Sequence, residues 1–256
     1  MGFSKFLQTT NGNLHSQYKV EKYKESDDKP TSEPDITKFA PPKFISNTIL
    51  KKLKKISQLP HDHSAKLYVE RRKIPAHQHY KLFYCQKFNA FVRLIIPFIS
   101  KGGNLIAIQG RSFKKNSSLR YITIKLDIDA PLVYNMNNVD QSKPVYCVEG
   151  PIDSMFVPNS IAVAGADLKR VEEVLPSENI IYIFDNQPRN KEIVRIMERA
   201  CEDGQKVMIW PDNIVEKDIN DMILNGVSEA KILDIINHNT YSKLFLKVKI
   251  NEWSKC

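Results

Sequence analysis

The sequence is poor in cysteine. Its 256 residues include four cysteines, and none of them belongs to a CxxC pair. Isolated thiols are typical of a reducing compartment, where structural disulfides are rare, so we expect all four to be free. This scarcity argues against a disulfide-stapled secreted domain and against a cysteine-rich zinc module. The cysteines are Cys85, Cys147, Cys201 and Cys256.

Two histidine pairs offer another possible metal site. His61 pairs with His63, and His77 with His79. Their flanking residues lack the ligand spacing of a zinc finger. We therefore expect solvated histidines in a basic region and no zinc in this chain.

A long apolar run is absent as well. The most apolar stretch, residues 94–99, includes Pro97 and follows Arg93, whereas a membrane-spanning helix needs about 20 apolar residues. The first residues contain neither the apolar core nor the cleavage site of a signal peptide. We expect a protein of a cytosolic compartment.

What the sequence does contain is a strong segregation of charge. Residues 41–126 include 18 basic and two acidic side chains, and residues 141–256 include 14 basic and 18 acidic ones. Aromatic residues are interleaved with the basic ones. A merely soluble basic surface would not require this segregation. The pattern favours a polyanion-binding unit joined to an acidic, metal-using unit.

The first half of the chain predicts a tail followed by a basic subdomain. Residues 1–42 are expected to be a tail and linker, because residues 27–42 contain four prolines and no apolar period. The basic subdomain is expected over residues 43–140. Within it the spacing predicts helices over residues 46–59 and 65–72, a hairpin of strands 89–99 and 104–110, a basic loop over 111–120, and a third strand over 121–126.

The second half predicts an α/β unit over residues 141–238, followed by a C-terminal tail over 239–256. Continuous apolar strands alternate here with helices, which indicates a parallel sheet covered on both faces. The predicted strands are 145–150, 160–165, 179–186 and 206–212, and the predicted helices are 191–203 and 218–226.

Acidic residues lie at or near the ends of predicted strands in this half of the chain. Glu149 and Asp185 each terminate a strand, Asp153 follows Glu149, and Asp218 and Asp221 open a helix. The carboxyl ends of parallel strands share one edge of a sheet, where ligands bind. Carboxylate oxygens are ligands that Mg²⁺ prefers. Each acid alone is also explained as a helix cap or a solvated loop residue, but three clusters on one edge favour a metal site.

Three motifs resemble those of toprim domains: VEGPIDSMF at 148–156, FDNQPRN at 184–190 and KDINDMI at 217–223. Upstream, RLIIPF, GNLIAIQGR and RYITI resemble the basic subdomain of bacterial-type primases. Together they resemble the toprim-containing DNA primases of T-even-like phages and bacteria, here without the N-terminal zinc-binding domain. The resemblance implies an α/β toprim sheet flanked by helices, preceded by a basic α+β subdomain.

The resemblance also implies an activity and its acidic residues. The activity is template-directed synthesis of short RNA primers on single-stranded DNA, by two-metal nucleotidyl transfer with Mg²⁺ or Mn²⁺. Glu149 would act as general base or metal ligand, and Asp185 and Asp218 would hold the metal. Asp153 and Asp221 would ligate through water or order the strand–helix junctions.

Further residues and partners follow from the same resemblance. The second motif of the family usually carries a carboxylate where this chain has Gln187, and Asn220 stands where related primases often have an acid. Implied partners are a single-stranded DNA template, ribonucleoside triphosphates, a replicative hexameric helicase and a separate zinc-domain polypeptide, all in the host cytoplasm. The implied nucleic-acid or nucleotide contacts are Arg93, Arg111, Lys114, Lys115, Arg120, Tyr121, Lys125 and Arg189.

Two other functions stay open. A toprim-type nuclease would use similar metal ligands, although the primase-like upstream elements argue against it. A non-catalytic module that binds single-stranded DNA beside a degenerate metal site would explain Gln187 and the missing zinc domain.

Overall fold

The structure is a computed structural model that describes residues 48–88, 91–114, 117–163 and 168–256. The predicted tail and linker over residues 1–42, and Lys115, lie outside the described residues. The chain forms two compact units. The N-terminal unit contains Ala76–Ala130 and the described residues before Arg71, and the C-terminal unit contains Arg71–Pro75 and Pro131–Cys256. The predicted boundary near residue 141 therefore lies about ten residues late, and the excursion at Arg71–Pro75 was not predicted.

The N-terminal unit is built on a five-stranded antiparallel sheet in the order β1-β2-β3-β4-β5. The predicted hairpin is confirmed, since β3 pairs with β4 and Gly103 takes the positive φ of 81° that its turn requires. The strands are β1 (Lys54–Lys55), β2 (Phe83–Phe88), β3 (Phe91–Ile99), β4 (Leu105–Ser112) and β5 (Tyr121–Lys125). The helices are α1 (Thr48–Lys51) and α2 (Ser64–Arg71), with 3₁₀ turns at Ile56–Gln58 and Ala76–Lys81.

The predicted helix over residues 46–59 was wrong in its extent. The described part has only the single turn α1, after which β1 pairs antiparallel with β2. The Ile56 N–H continues this pairing by donating to the Leu82 carbonyl at 2.9 Å. The apolar residues are buried as expected, but strand pairing across about 30 residues overrides their helical spacing. The second predicted helix is confirmed as α2.

The C-terminal unit is built on a six-stranded sheet in the order β11-β10-β9-β7-β8-β6. Its four central strands are parallel, and β6 and β11 pair antiparallel at the two edges. This sheet and its helices confirm the predicted α/β class. The strands are β6 (Val133–Tyr134), β7 (Val145–Val148), β8 (Ser160–Val163), β9 (Ile180–Ile183), β10 (Lys206–Met208) and β11 (Thr240–Tyr241). The helices are α3 (Pro151–Ser154), α4 (Leu168–Glu172), α5 (Lys191–Glu202), α6 (Ile219–Leu224), α7 (Glu229–His238) and α8 (Lys243–Trp253).

The residues expected to form a C-terminal tail are part of this unit instead. β11 pairs with β10, and α8 packs against α5. Helix α8 buries Leu246, Ile250 and Trp253. Its exposed Leu244 and Phe245 break the amphipathic pattern, which is why the sequence does not mark this segment clearly as a packed helix. None of the described helices is long and apolar enough to cross a membrane.

Candidate metal site and basic surface

Glu149 and Asp185 meet at the carboxyl edge of the parallel sheet. They follow β7 and β9, which are neighbours in register, with Val148 opposite Ile183. The Asp185 backbone N–H donates to Glu149 Oε1 at 2.9 Å. Two acids separated by 36 positions are therefore joined because their strands pair side by side.

The electrostatics of this edge are strongly negative. Burial raises the pKa of Glu149, and the negative charges of Asp185 and Asp218 raise it further, against the hydrogen bond from Asp185 and the charge of Lys217. Lys217 Nζ forms an ion pair with Asp185 Oδ2 at 3.0 Å. Gln187 Nε2 donates to the same oxygen at 3.2 Å. One lysine thus compensates several carboxylates, and the excess negative charge attracts cations.

Asp218 and Asp221 lie at the start of α6. Asp218 is the N-cap of the helix, and its Oδ1 accepts from the Asp221 N–H at 2.8 Å. Burial and the neighbouring Asp218 raise the pKa of Asp221, whereas Arg72 and Lys217 lower it. Asp218 therefore caps the helix, a role that the sequence also allowed, while its charge still acts on Glu149.

Asp153 ties two helices together. Its Oδ1 accepts from the Asn220 N–H at 2.9 Å, which links α3 to α6. The Asn220 side chain is 2% exposed, accepts from Arg72 Nη1 at 2.6 Å and donates to the Arg72 carbonyl at 2.9 Å. Lys73 Nζ donates to the Ile223 carbonyl near the end of the helix. Segment Arg71–Pro75 thus holds α6, and Asn220 has a structural position rather than one open to a metal.

The carboxylate oxygens of this edge suit a hard divalent cation in their chemistry. In their described positions, however, no three acidic, histidine or cysteine side chains come together around one point. The ammonium group of Lys217 lies against Asp185. A bound cation would therefore compete with Lys217 for this carboxylate.

In the N-terminal unit the structure buries two of the predicted arginines. Arg93 is 1% exposed, and its guanidinium donates to the carbonyls of Gly110 at 3.0 Å, Leu119 at 2.9 Å and Arg120 at 3.4 Å. Because these carbonyls belong to β4 and to the loop before β5, Arg93 holds that loop on the sheet. Arg93 was predicted to contact nucleic acid, but its buried guanidinium is not accessible to a ligand in this structure.

Arg111 is also enclosed by its own unit. Its Nε donates to Tyr68 Oη at 2.6 Å, and its guanidinium lies 4.7 Å from the ring centre of Tyr121, the residue opposite it on β5. Tyr68 in turn stacks on Phe113. The predicted Arg111 and Tyr121 elements do come together, but as a cation–π pair that fixes the end of the β4–β5 hairpin.

The remaining predicted basic contacts are accessible. Lys114 and Arg120 are exposed in the β4–β5 loop, and Lys125 is half-buried on β5. In the C-terminal unit, Arg189 is exposed in the loop between β9 and α5. These four side chains can reach a polyanion without unfolding the hairpin or the loop that bears them.

Asn186 forms hydrogen bonds with residues from distant parts of the C-terminal unit, a role that was not predicted from the sequence. Its N–H donates to the Lys217 carbonyl at 2.7 Å, and its Nδ2 donates to the carbonyls of Ile214 and Glu216. Its Oδ1 accepts from Trp253 Nε1 at 3.1 Å. Asn186 therefore fixes the Asp185 loop to the Lys217 loop and to α8. Only its position beside Asp185 could have drawn attention to it.

Comparisons with known proteins agree with this geometry. The chain is 29% identical to the DNA primase of Enterobacteria phage T4, over 98% of this chain and 78% of that protein. The chain is therefore similar to a phage DNA primase over nearly all of its length. No family model matches this chain.

Solved structures show the same fold at low identity. The E. coli primase catalytic core matches this chain with a TM-score of 0.56 and 14% identity, over 75% of this chain and 78% of that one. A DnaG primase catalytic domain bound to single-stranded DNA matches this chain with a TM-score of 0.55 and 14% identity, over 87% of this chain and 80% of that one. Both confirm the toprim α/β fold expected from the sequence motifs.

Gly150 leaves space that Asp153 occupies. A Cβ atom at Gly150 would lie 2.6 Å from Asp153 Oδ2, while Asp153 Oδ1 is held by the Asn220 N–H. We expect Gly150→Ala to push Asp153 away from α6 and to lower primer synthesis about ten-fold, since small displacements in an active site are costly. Gly102→Ala, whose Cβ has room, should leave the rate unchanged. Equal rates for both variants in a primer-extension gel would contradict this steric argument.

The hydrogen bond of Trp253 gives a second expectation for this protein. Trp253→Phe keeps a buried ring but removes the bond to Asn186 Oδ1. We expect a loss of about 1 kcal/mol in the free energy of unfolding and a higher magnesium concentration for half-maximal synthesis, because the Asp185 loop is less well held. Phe245→Leu, on the exposed face of α8, is the control for urea unfolding and magnesium titration, and should change neither.

Proposed function

We propose that this chain is a DNA primase that joins ribonucleotides on a single-stranded DNA template at the edge formed by Glu149, Asp185 and Asp218. The observation that carries this proposal is the contact between Glu149 and Asp185 at neighbouring strand ends. In the reaction, the 3′-hydroxyl of the primer attacks the α-phosphorus of the incoming nucleotide and pyrophosphate leaves. Glu149 serves as acceptor of the hydroxyl proton or as a metal ligand, and Asp185 and Asp218 bind the metal.

Magnesium is the proposed cation, with manganese as a substitute. Bound at these carboxylates, it would stabilise the negative charge that develops on the transferred phosphoryl group. The donor chemistry supports this assignment, because carboxylate oxygens and phosphates are the usual ligands of Mg²⁺. Asp221 and Asp153 are proposed to support the site indirectly, through the start of α6 and its link to α3.

The N-terminal unit is proposed to bind the template and primer backbone. Lys114, Arg120 and Lys125 are its accessible candidates, with Lys115 added from the sequence. Phosphate contacts by such residues make affinity fall with salt. A DnaG relative has been solved with single-stranded DNA, which supports this choice of template. A replicative helicase and a separate zinc-domain polypeptide are proposed partners on the basis of the family resemblance alone.

One experiment separates this function from its two alternatives. The purified chain is incubated with a single-stranded template, ribonucleoside triphosphates and magnesium, with and without a zinc-domain polypeptide of a related primase. Short RNA products support the primase, a nicked template supports a toprim nuclease, and template binding without chemistry supports a binding module. Omitting magnesium with a chelator should remove the RNA products and leave template binding in place.

Lys217 provides a test of the metal assignment. Lys217→Gln removes the ammonium group that lies against Asp185, so a cation no longer competes with it. We expect the magnesium concentration for half-maximal synthesis to fall by about three-fold, a modest effect because Lys217 is half exposed to solvent. Lys247→Gln removes an exposed charge from α8 in the same unit and should leave the magnesium titration unchanged. A higher magnesium requirement for Lys217→Gln would contradict the competition.

A further inference from the structure

Helix α6 is too short to be stable by itself. It comprises six residues, and it carries Asp218 as its N-cap and Asp221 in its first turn. Isolated helices shorter than about 12 residues are only marginally stable in water, because few hydrogen bonds offset the cost of forming the first turn. The positions of the Asp218 and Asp221 carboxylates therefore depend on the contacts that other parts of the chain make with α6.

The segment Arg71–Pro75 contacts α6 near both of its ends. Arg72 Nη1 donates to Asn220 Oδ1 at 2.6 Å in the first turn. Lys73 Nζ donates to the Ile223 carbonyl at 3.0 Å in the last turn. The last carbonyls of a helix lack intrahelical donors and carry partial negative charge, so a lysine stabilises them. Two adjacent side chains therefore hold α6, although Arg72 lies 148 positions before Asn220 in the sequence.

The backbone at Lys73 is strained. Its φ is 54°, in the left-handed region that residues other than glycine rarely adopt. Such a conformation costs about 1 kcal/mol and persists only where the surrounding contacts hold it. Here the contacts are the bonds of Arg72 and Lys73 to α6 and the burial of the next side chain, Ile74, which is 4% exposed. The strained turn is therefore held by the same contacts that hold α6.

The side-chain amide of Asn220 matches Arg72 in both directions. Its oxygen accepts from the Arg72 guanidinium, and its Nδ2 donates to the Arg72 carbonyl at 2.9 Å. A carboxylate at this position could accept from Arg72 but has no donor for the carbonyl. Asn220 stands where related primases often have an acid. Its two bonds and its burial fit a reciprocal pair with Arg72, and they do not fit a metal ligand that has lost its charge.

We propose that the Arg72–Asn220 pair is a lock that holds α6 and so positions Asp218 and Asp221 for a metal at the acidic edge. The lock rests on the contacts of Asn220, whereas the metal that the two carboxylates serve rests on the proposed function. Arg72 acts through Asn220 and α6, so it is a positioning residue. Its positive charge acts on Asp221 and by itself disfavours a cation there. The charge of Arg72 and its hydrogen bond therefore have opposite effects on metal affinity, and an experiment can separate them.

The first test measures metal binding without catalysis. Manganese chloride is titrated by calorimetry into the full chain, without nucleotide or template. We expect Arg72→Met and Asn220→Ala each to weaken manganese affinity by about five-fold, because each releases α6 from the segment that holds it. The double variant should bind no more weakly than the weaker single variant, because both substitutions break one pair. Arg195→Met removes an exposed arginine from α5; it is the control and should bind manganese as the wild type does.

Hydrogen exchange gives a second measurement, which needs no metal. The amides of α6 should exchange at least about ten-fold faster in Arg72→Met, because the helix opens locally more often. The amides of the central strand β7 should keep their wild-type rates. If β7 accelerated as much as α6, Arg72 would stabilise the whole unit and the lock would be wrong.

The outcomes separate this inference from the proposed function. Tighter manganese binding by Arg72→Met would overturn the inference, since Arg72 would act only through its charge, and unchanged binding would overturn it as well. Asn220→Asp should gain less than about two-fold in manganese affinity, because Arg72 compensates the new carboxylate. A gain of about ten-fold would show that position 220 is a lost metal ligand and would overturn the lock. If α6 exchanges as expected but the wild-type chain binds no manganese or makes no RNA, the proposed function fails and the lock stands.

Discussion

Replacing Glu149 with glutamine is expected to reduce primer synthesis by about 10³-fold, the scale on which the loss of a general base or charged ligand acts. The substitution keeps the size of the side chain, and the amide oxygen can still accept from the Asp185 N–H. The edge of the sheet therefore keeps its shape and loses a negative charge. The measurement is the rate of RNA product formation at saturating template and nucleotide.

The control for this variant is Glu198→Gln, which removes a carboxylate from the exposed face of α5. It should synthesise primers at the wild-type rate, and both variants should unfold at the same urea concentration as the wild type. If Glu149→Gln retained more than a tenth of the activity, Glu149 would be neither base nor ligand. If a higher magnesium concentration restored the activity of Glu149→Gln, the role of metal ligand would be favoured over that of general base.

The largest expected effect on stability comes from Arg93. Arg93→Met removes a buried guanidinium and leaves the carbonyls of Gly110 and Leu119 without the hydrogen bonds that Arg93 donates. We expect the free energy of unfolding of the N-terminal unit to fall by about 3 kcal/mol, because two hydrogen bonds from a buried charged group are lost. Urea denaturation followed by the fluorescence of the tyrosines in this unit measures the change.

Arg120→Met is the matched comparison, because Arg120 is exposed in the loop that Arg93 holds. Its free energy of unfolding should change by less than about 0.5 kcal/mol, while its DNA affinity should fall and depend less steeply on salt. The two arginines would then have opposite effects: one acts on stability and the other on binding. A stable Arg93→Met protein with weakened DNA binding would reverse this assignment.

Some features of the fold depend on residues that are neighbours in sequence, and these could be predicted. Features that depend on residues brought together only in space could not. The parallel strands β7, β8, β9 and β10 follow from their apolar composition, and the helix α5 follows from its period and its stop at Gly204. The helix expected over residues 46–59 did not follow. Its apolar spacing suits a helix, but pairing with β2 decides the backbone of Lys54 and Lys55.

The site shows the same division. The sequence determined that acidic residues stand at the ends of neighbouring strands, because strand ends and residue types are both local. Only the tertiary structure decided that Asp153 holds Asn220 and that Lys217 lies against Asp185. Each of these roles depends on a partner distant in the chain, and residue type and spacing carry no record of that partner.

The sequence by itself determined that this protein is a basic unit joined to an acidic α/β unit with primase motifs, since charge and hydrophobic period are properties of each segment. The sequence did not determine which basic side chains are accessible to a ligand. Arg93 and Arg111 are buried by their own sheet, whereas Lys255 joins Arg189 at one cleft from the far end of the chain. The physical reason is that the net charge of a segment is additive, but the accessibility of each charge depends on how strands and helices pack around it.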